Sequence, residues 1–247
     1  MEHVLITGGS RGIGASTAIE CARRGFGVIL TWNSKPEAAS QVVERIQADG
    51  GHALALQLNV EDANSFSQFR SNLEDAMESH WGARGLHGLV NNAGYGLYNP
   101  IETVTEAQFD SLMNVHLKGP FFLTQTLLPL LQPNAAIVNL TSATTRVATA
   151  GVAPYATFKG GLEVLTRYMA KEFGERKIRV NAVSPGPIRT ELGGGLSDEF
   201  EALLAGQTAL GRIGEPADVA RVIASLLSAD HGWINAQTVE VAGGYII

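Results

Sequence analysis

The sequence predicts an α/β fold in which helices cover both faces of one parallel, seven-stranded β-sheet. Short apolar runs, each typical of a buried strand, alternate with stretches of helical spacing along the whole chain. A glycine-rich turn follows the first apolar run directly and precedes a helical stretch. The chain has 247 residues, a length that suits one α/β domain with a large core.

Seven apolar runs are predicted to be strands, and they lie at 4–6, 27–32, 52–58, 86–91, 136–140, 178–183 and 238–241. Strands of a parallel sheet are apolar along their whole length because helices cover both faces. Helical stretches separate them, at 15–24, 36–49, 61–79, 105–116, 121–131, 154–174 and 216–227. Right-handed crossovers between such strands favour a doubly wound sheet. Because the sequence shows no linker or internal repeat, residues 1–247 are predicted to form a single domain.

The glycine-rich turn reads Thr7-Gly8-x-x-x-Gly12-x-Gly14. A strand, a glycine turn and a helix in succession point free backbone N–H groups at a pyrophosphate. Glycine is needed because a side chain would block the approach of the backbone to the phosphate. A TIM barrel would show the same alternation of strands and helices, but a phosphate-binding turn after the first strand is typical of a Rossmann fold. The sequence therefore predicts a Rossmann fold that binds a nucleotide.

Composition argues against several classes of function. A net charge of −6 and the lack of a Lys/Arg cluster disfavour a nucleic-acid surface. No apolar run approaches the roughly 20 residues of a membrane span, and the first strand begins too early to leave room for a signal peptide. Cys21 is the only cysteine and the six histidines lack metal-ligand spacing, so we expect neither a disulfide nor a metal site. We expect a cytoplasmic protein.

Residues 186–214 are the least regular part of the sequence, rich in glycine and proline with a short helical piece at 197–205. Long connections in compact domains are commonly binding loops or lids. This one leaves the carboxyl end of the sixth predicted strand, at the edge where ligands bind in open α/β sheets. We predict that it is a lid over the substrate.

Tyr155 and Lys159 are four residues apart, so a helix places both side chains on one face. A phenol ordinarily loses its proton near pH ~10, and a nearby cation lowers that value enough to make tyrosine a general acid or base. The spacing alone also fits a surface pair. Ser142 follows the fifth predicted strand and precedes Tyr155 by 13 positions, the run Asn91-Asn92-Ala93-Gly94 ends the fourth, and Asn114 lies in the next helix.

Together with the glycine turn, these motifs resemble the classical branch of the short-chain dehydrogenase/reductase family over nearly the whole chain. The resemblance implies that Tyr155 exchanges a proton with the substrate oxygen and that Ser142 hydrogen-bonds the same oxygen. It implies that Lys159 binds the nicotinamide-ribose hydroxyls and lowers the tyrosine pKa, and that Asn114 holds a water linked to Lys159. The implied cofactor contacts, besides Tyr155 and Lys159, are Gly8, Ser10, Arg11, Ile13, Asn59, Val60, Asn91, Ala93, Gly94, Pro185, Gly186, Ile188 and Thr190.

The cofactor is predicted to be NADP(H), with NAD(H) less favoured. NAD enzymes of this fold place an acidic residue about 20 positions beyond the glycine turn, on the ribose 2′-hydroxyl. Residues 31–35 contain no acid, whereas Arg11 offers a cation to a 2′-phosphate. Asn33 and Ser34 can add neutral hydrogen bonds.

The predicted reaction is the reduction of a ketone or aldehyde by hydride transfer, reversible as an alcohol oxidation. Negative charge develops on the carbonyl oxygen, and Ser142 and Tyr155 would both donate to it. One alternative is a 3-oxoacyl-(acyl-carrier-protein) reductase, and another is a non-catalytic NADP-binding regulator on the same fold. A lyase or dehalogenase on this scaffold typically loses the glycine turn, which is intact here. The family resemblance also suggests a homotetramer.

Overall fold

The computed structural model describes residues 1–191 and 194–247. Seven strands form one sheet, and they are β1 (His3–Ile6), β2 (Gly27–Trp32), β3 (His52–Gln57), β4 (Leu86–Asn91), β5 (Leu131–Leu140), β6 (Arg179–Pro185) and β7 (Thr238–Val241). All neighbouring strands pair in parallel, in the order β3-β2-β1-β4-β5-β6-β7. Strands β2 and β3 lie in succession on one side of β1, and strands β4 to β7 lie in succession on its other side. The predicted doubly wound Rossmann fold is confirmed.

Eight α-helices accompany the sheet in the described residues: α1 (Gly12–Arg23), α2 (Pro36–Ala48), α3 (Phe66–Trp81), α4 (Glu106–Met113), α5 (Gly119–Leu127), α6 (Ala153–Glu172), α7 (Asp198–Gly206) and α8 (Pro216–Leu227). Alternate residues of β1 face opposite sides, as the period of a strand requires. Val4 and Ile6 pack in one core with residues of α1, α2 and α8. Leu5 packs in the other core with residues of α3, α5 and α6. Each core is therefore the contact between one face of the sheet and its helices.

The largest difference from the predicted elements lies at 121–131, which was expected to be helical throughout. Helix α5 ends at Leu127, a 3₁₀ turn spans Leu128–Leu130, and Leu131 already pairs with Leu86 of β4. Pro129 lies within that turn, and proline cannot donate the backbone hydrogen bond that a continuing α-helix needs. The register of β4 and β5 then shifts between Leu86 and Gly88.

The carboxyl ends of β1, β4, β5 and β6 meet at one edge of the sheet, where the winding direction changes between β1 and β4. Ligands of open α/β sheets bind at this place, because the loops on either side diverge and leave a crevice. Within the described part of the chain, none of the helices combines the length and the apolar character needed to cross a membrane.

Candidate active site

A cavity of about 810 Å³ opens at this edge of the sheet, within the size range of small-molecule and cofactor sites. Loops from the carboxyl ends of β1 to β6 contribute to its walls. Seventeen of the nineteen residues predicted for the site line it: Gly8, Ser10, Arg11, Ile13, Asn33, Ser34, Asn59, Val60, Ala93, Gly94, Ser142, Tyr155, Lys159, Pro185, Gly186, Ile188 and Thr190. Asn91 and Asn114 lie outside the lining.

The glycine turn is held against β4 by hydrogen bonds. The Thr7 hydroxyl donates to the carbonyl oxygen of Val90 at 3.2 Å and accepts from the backbone N–H groups of Asn92 and Ala93, both at 3.0 Å. Gly8 has a φ of +65°, and a Cβ atom there would lie 2.8 Å from the Ala93 Cα. Both the backbone conformation and the space therefore require glycine, and the turn can present its backbone to a phosphate.

The side chain of Asn91 holds the sheet to its helices, and the predicted contact of this residue with the cofactor stays a prediction. Its side chain is 4% exposed and donates to the Asn139 Oδ1 at 2.8 Å and to the Thr124 hydroxyl at 3.2 Å. Asn139 in turn donates to the hydroxyl of Thr166 on α6 at 2.9 Å. These bonds tie β4 and β5 to helices α5 and α6, because a buried amide needs partners within the protein.

A five-residue π-helix, Asn114–Lys118, separates α4 from α5, and its residues Val115 and His116 line the cavity. His116 lines the cavity and is 1% exposed, whereas Asn114 lies one half-turn earlier and away from the lining. The imidazole packs edge-to-face on the Tyr155 ring, with centroids 4.9 Å apart. The predicted role of Asn114, to hold a water linked to Lys159, stays a prediction. His116 was overlooked because a lone buried histidine in a helix carries no signal in a single sequence.

The imidazole of His116 is neutral and its tautomer follows from its partner. Burial, with the charge of Lys159 as a second cause, lowers the pKa of His116 to about 3. Its Nε2 lies 2.8 Å from the carbonyl oxygen of Tyr95, an acceptor, so Nε2 carries the proton. A Cβ atom on Gly94 would lie 2.6 Å from the His116 Cε1, so glycine at this position leaves room for the ring.

Ser142, Tyr155 and Lys159 meet in the cavity. All three side chains line it, and the Lys159 ammonium lies 5.6 Å from the centre of the tyrosine ring. Lys159 Nζ donates to the carbonyl oxygen of Leu140, at the end of β5, at 2.6 Å. Burial lowers the pKa of Lys159 to about 7, since a low-dielectric environment disfavours the charged form.

The pKa of Tyr155 shifts in the direction opposite to the one predicted. Burial raises the pKa of the phenol, and the hydrogen bond from Ser142 opposes this only in part. A raised pKa keeps the phenol protonated at neutral pH, which is the form that a proton donor requires.

The other end of the cavity is formed by the residues after β2 and β3, including Trp32, Asn33, Ser34 and Lys35. Arg11 lies in this lining, and its guanidinium is 3.5 Å from the carboxylate of Glu191. Both side chains are more than half exposed, and exposed ion pairs of this kind are weak. Arg11 is therefore available to a stronger anionic partner.

Comparisons with known proteins place the chain in a family. A family model described as enoyl-(acyl carrier protein) reductase matches residues 8–246. A 3-oxoacyl-[acyl-carrier-protein] reductase of Staphylococcus aureus is 37% identical over 245 residues, covering 98% of this chain and 97% of the relative. The structure of a short-chain dehydrogenase/reductase from Serratia marcescens superposes with a TM-score of 0.92 at 30% identity, covering 100% of this chain and 98% of the other. This chain is a classical short-chain dehydrogenase/reductase.

The structure of a ketoreductase superposes on the chain with a still higher TM-score. The angucycline C-6 ketoreductase LanV, whose structure holds bound NADP, superposes with a TM-score of 0.95 at 33% identity. The match covers 99% of this chain and 95% of the ketoreductase.

Proposed function

We propose that this short-chain dehydrogenase/reductase uses NADP(H) to reduce a ketone or aldehyde to an alcohol, with Tyr155 as the proton donor. The observation that carries the proposal is the meeting of Ser142, Tyr155 and Lys159 in the cavity that the glycine turn also lines. A non-catalytic regulator would have no need for this arrangement. The names of the relatives, two of which are keto-group reductases, support the same reaction class.

The residues present fit a nicotinamide dinucleotide. The turn at Gly8 leaves no space for a side chain between it and Ala93, so its backbone can approach a pyrophosphate. Bound there, the nicotinamide would supply the hydride, while the protein supplies position and the proton. Gly8, Ser10, Arg11 and Ile13 would hold the phosphates, and Pro185, Gly186, Ile188 and Thr190 would hold the nicotinamide end.

The proton chemistry follows from the three polar residues at the nicotinamide end. As the carbonyl carbon gains the hydride, negative charge develops on the carbonyl oxygen. Ser142 and Tyr155 donate hydrogen bonds to that oxygen, and the Tyr155 proton then moves onto it to give the alcohol. The reverse reaction returns the proton to the phenolate. Lys159 uses one of its three donors on Leu140 and keeps two for the ribose hydroxyls.

The segment at 186–214 is proposed to be the substrate lid. Its two ends are joined by backbone hydrogen bonds between Arg189 and Gly214 and between Gly214 and Pro187, at 2.8 and 2.9 Å. Between them α7 exposes the apolar side chains of Phe200 and Leu203. A segment pinned at its base and apolar at its tip is suited to close over an apolar substrate. Of the predicted lid, residues 192 and 193 lie outside the described residues.

The experiment that tests the proposed function follows NADPH oxidation against a panel of hydrophobic ketones, aldehydes and acyl thioesters. We expect turnover with at least one ketone or aldehyde. A marked preference for β-ketoacyl thioesters would favour the alternative, a 3-oxoacyl-(acyl-carrier-protein) reductase, for which the S. aureus relative is named. NADPH binding without turnover on any carbonyl would instead identify a regulator and end the proposal.

The chain is also proposed to form a homotetramer, in line with the family resemblance. Helices α5 and α6 leave Phe121, Val164 and Tyr168 exposed by 41%, 45% and 64% beside one groove. The sheet covers only the inner side of these helices, so the apolar outer side favours a partner chain.

Light scattering of the purified protein at micromolar concentration is expected to give four times the chain mass. Phe121→Glu should produce a smaller species, because a carboxylate would be buried in the interface without a partner. Ile101→Glu, at a side chain that is 76% exposed away from the groove, serves as the matched control. A monomeric mass for the unmodified protein would contradict the proposed assembly.

A further inference from the structure

The hydroxyl of Ser142 accepts two hydrogen bonds from Thr144, the residue two positions later. Ser142 caps the 3₁₀ turn Ala143–Thr145, and its Oγ accepts the Thr144 backbone N–H at 3.2 Å. The same oxygen accepts the Thr144 hydroxyl at 2.9 Å. Thr144 thus makes two hydrogen bonds to the one oxygen, from a position outside the cavity lining.

A hydroxyl group has two acceptor sites and one proton to donate. Both acceptor sites of Ser142 are taken by Thr144, so the phenol of Tyr155 cannot donate to it. Ser142 is therefore left with its one proton to donate to an oxygen in the cavity, which is the substrate carbonyl oxygen when a substrate is bound and the Tyr155 phenolate when none is. The phenol proton stays free to point at a substrate in the cavity.

We propose that Thr144 is a positioning residue, which fixes the direction of a hydrogen-bond chain from Thr144 through Ser142 to the oxygen that Ser142 faces in the cavity. The proposal rests on the proposed function, in which Tyr155 gives its proton to the substrate oxygen. Without the Thr144 hydroxyl, one acceptor site of Ser142 becomes free and the phenol can turn its proton towards the serine. That orientation is unproductive. Each donor in such a chain also polarises the next, so its loss weakens the donors that stabilise the developing charge.

The kinetic test compares Thr144→Val with Thr144→Ser. Valine keeps the shape of threonine but cannot donate, and serine restores the hydroxyl. The loss of one neutral hydrogen bond predicts a kcat roughly three- to tenfold lower in Thr144→Val, with the KM for the ketone and the Kd for NADPH unchanged. Thr144→Ser should recover kcat to within about twofold. Thr144→Ala provides a second non-donating variant if the valine disturbs folding.

Thr145 offers a matched control in the same turn. Its hydroxyl has two alternative acceptors for its one proton, the Ser142 carbonyl oxygen at 3.0 Å and the Glu163 carboxylate at 2.8 Å, and it makes no hydrogen bond to the Ser142 hydroxyl. Thr145→Val therefore loosens the turn while leaving the proposed chain intact. A fall in kcat as large in Thr145→Val as in Thr144→Val would show that Thr144 only stabilises the turn, and the proposal would be overturned.

A second readout does not depend on activity. The ionisation of Tyr155 is measured as the rise in tyrosinate absorbance with pH. The same titration of a protein that also carries Tyr155→Phe is subtracted, so that only Tyr155 contributes to the difference. Thr144→Val should move this titration to higher pH, because a phenolate is stabilised by the hydrogen bond that a polarised Ser142 donates. The other titratable groups against the phenol are Lys159, on its own helix, and the neutral His116, on the π-helix, and the variant changes neither.

Thr144→Ser should titrate like the unmodified protein. An identical titration in Thr144→Val and the unmodified protein would overturn the proposal. If the unmodified protein turned over no carbonyl substrate, the proposed function would fail, while the titration would still decide whether Thr144 directs the chain.

Discussion

Replacing Tyr155 with phenylalanine is expected to lower kcat by at least about 100-fold, the typical contribution of a general acid. The variant removes the hydroxyl that donates the proton and keeps the ring that packs against His116. Because the phosphate-binding turn is untouched, NADPH should still bind with nearly its normal Kd. The measurement is steady-state turnover on the best ketone of the panel, together with a fluorescence titration of NADPH.

Thr157→Val is the matched control, since it removes a hydroxyl from the same helix at an exposed side chain outside the cavity lining. Its kcat should equal that of the unmodified protein. Near-normal turnover in Tyr155→Phe would remove Tyr155 from the mechanism. In that case a different residue of the cavity would have to supply the proton.

Arg11→Ala is expected to raise the KM for NADPH by tenfold to several-hundredfold and to leave the KM for NADH nearly unchanged. A 2′-phosphate carries up to two negative charges, and arginine supplies planar, permanently charged donors. Charge-assisted hydrogen bonds contribute about 1.5–3 kcal/mol each, so one or two of them produce this range. The cavity mouth next to Arg11 presents Asn33, Ser34 and Lys35, and none of these repels a phosphate.

Two further variants separate the cofactor role of Arg11 from its ion pair. Glu191→Gln removes the carboxylate 3.5 Å from Arg11 and should not weaken NADPH binding. Arg24→Ala, at the end of α1, removes an arginine that pairs with Glu20 and should leave both KM values unchanged.

Trp32→Asp should move the cofactor preference towards NADH, because the new carboxylate repels the 2′-phosphate of NADPH. Equal catalytic efficiency with NADPH and NADH in the unmodified protein would contradict the assignment of Arg11.

The fold could be predicted from sequence because its signals are local and repeated. The strands at 27–32, 86–91 and 238–241 have the bounds observed, as does the helix at 216–227. Each strand is a continuous apolar run, which is what burial on both faces of a parallel sheet requires. The bounds at 121–131 were wrong because a proline ends the helix and a long-range pairing with β4 extends the strand. Pairing between distant segments leaves no local trace.

The sequence by itself also determined most of the cavity, because residues that follow parallel strands collect at one edge of the sheet whatever the details of packing. Only the tertiary structure decided the rest. The π-helix at Asn114–Lys118 and the packing of its His116 on the Tyr155 ring depend on the fold, and neither can be read from residue spacing. Burial, a property of the whole fold, raised the pKa of Tyr155 and lowered that of Lys159. The direction of the hydrogen bonds from Thr144 depends on atoms 2.9 and 3.2 Å apart, a scale that only three-dimensional packing sets.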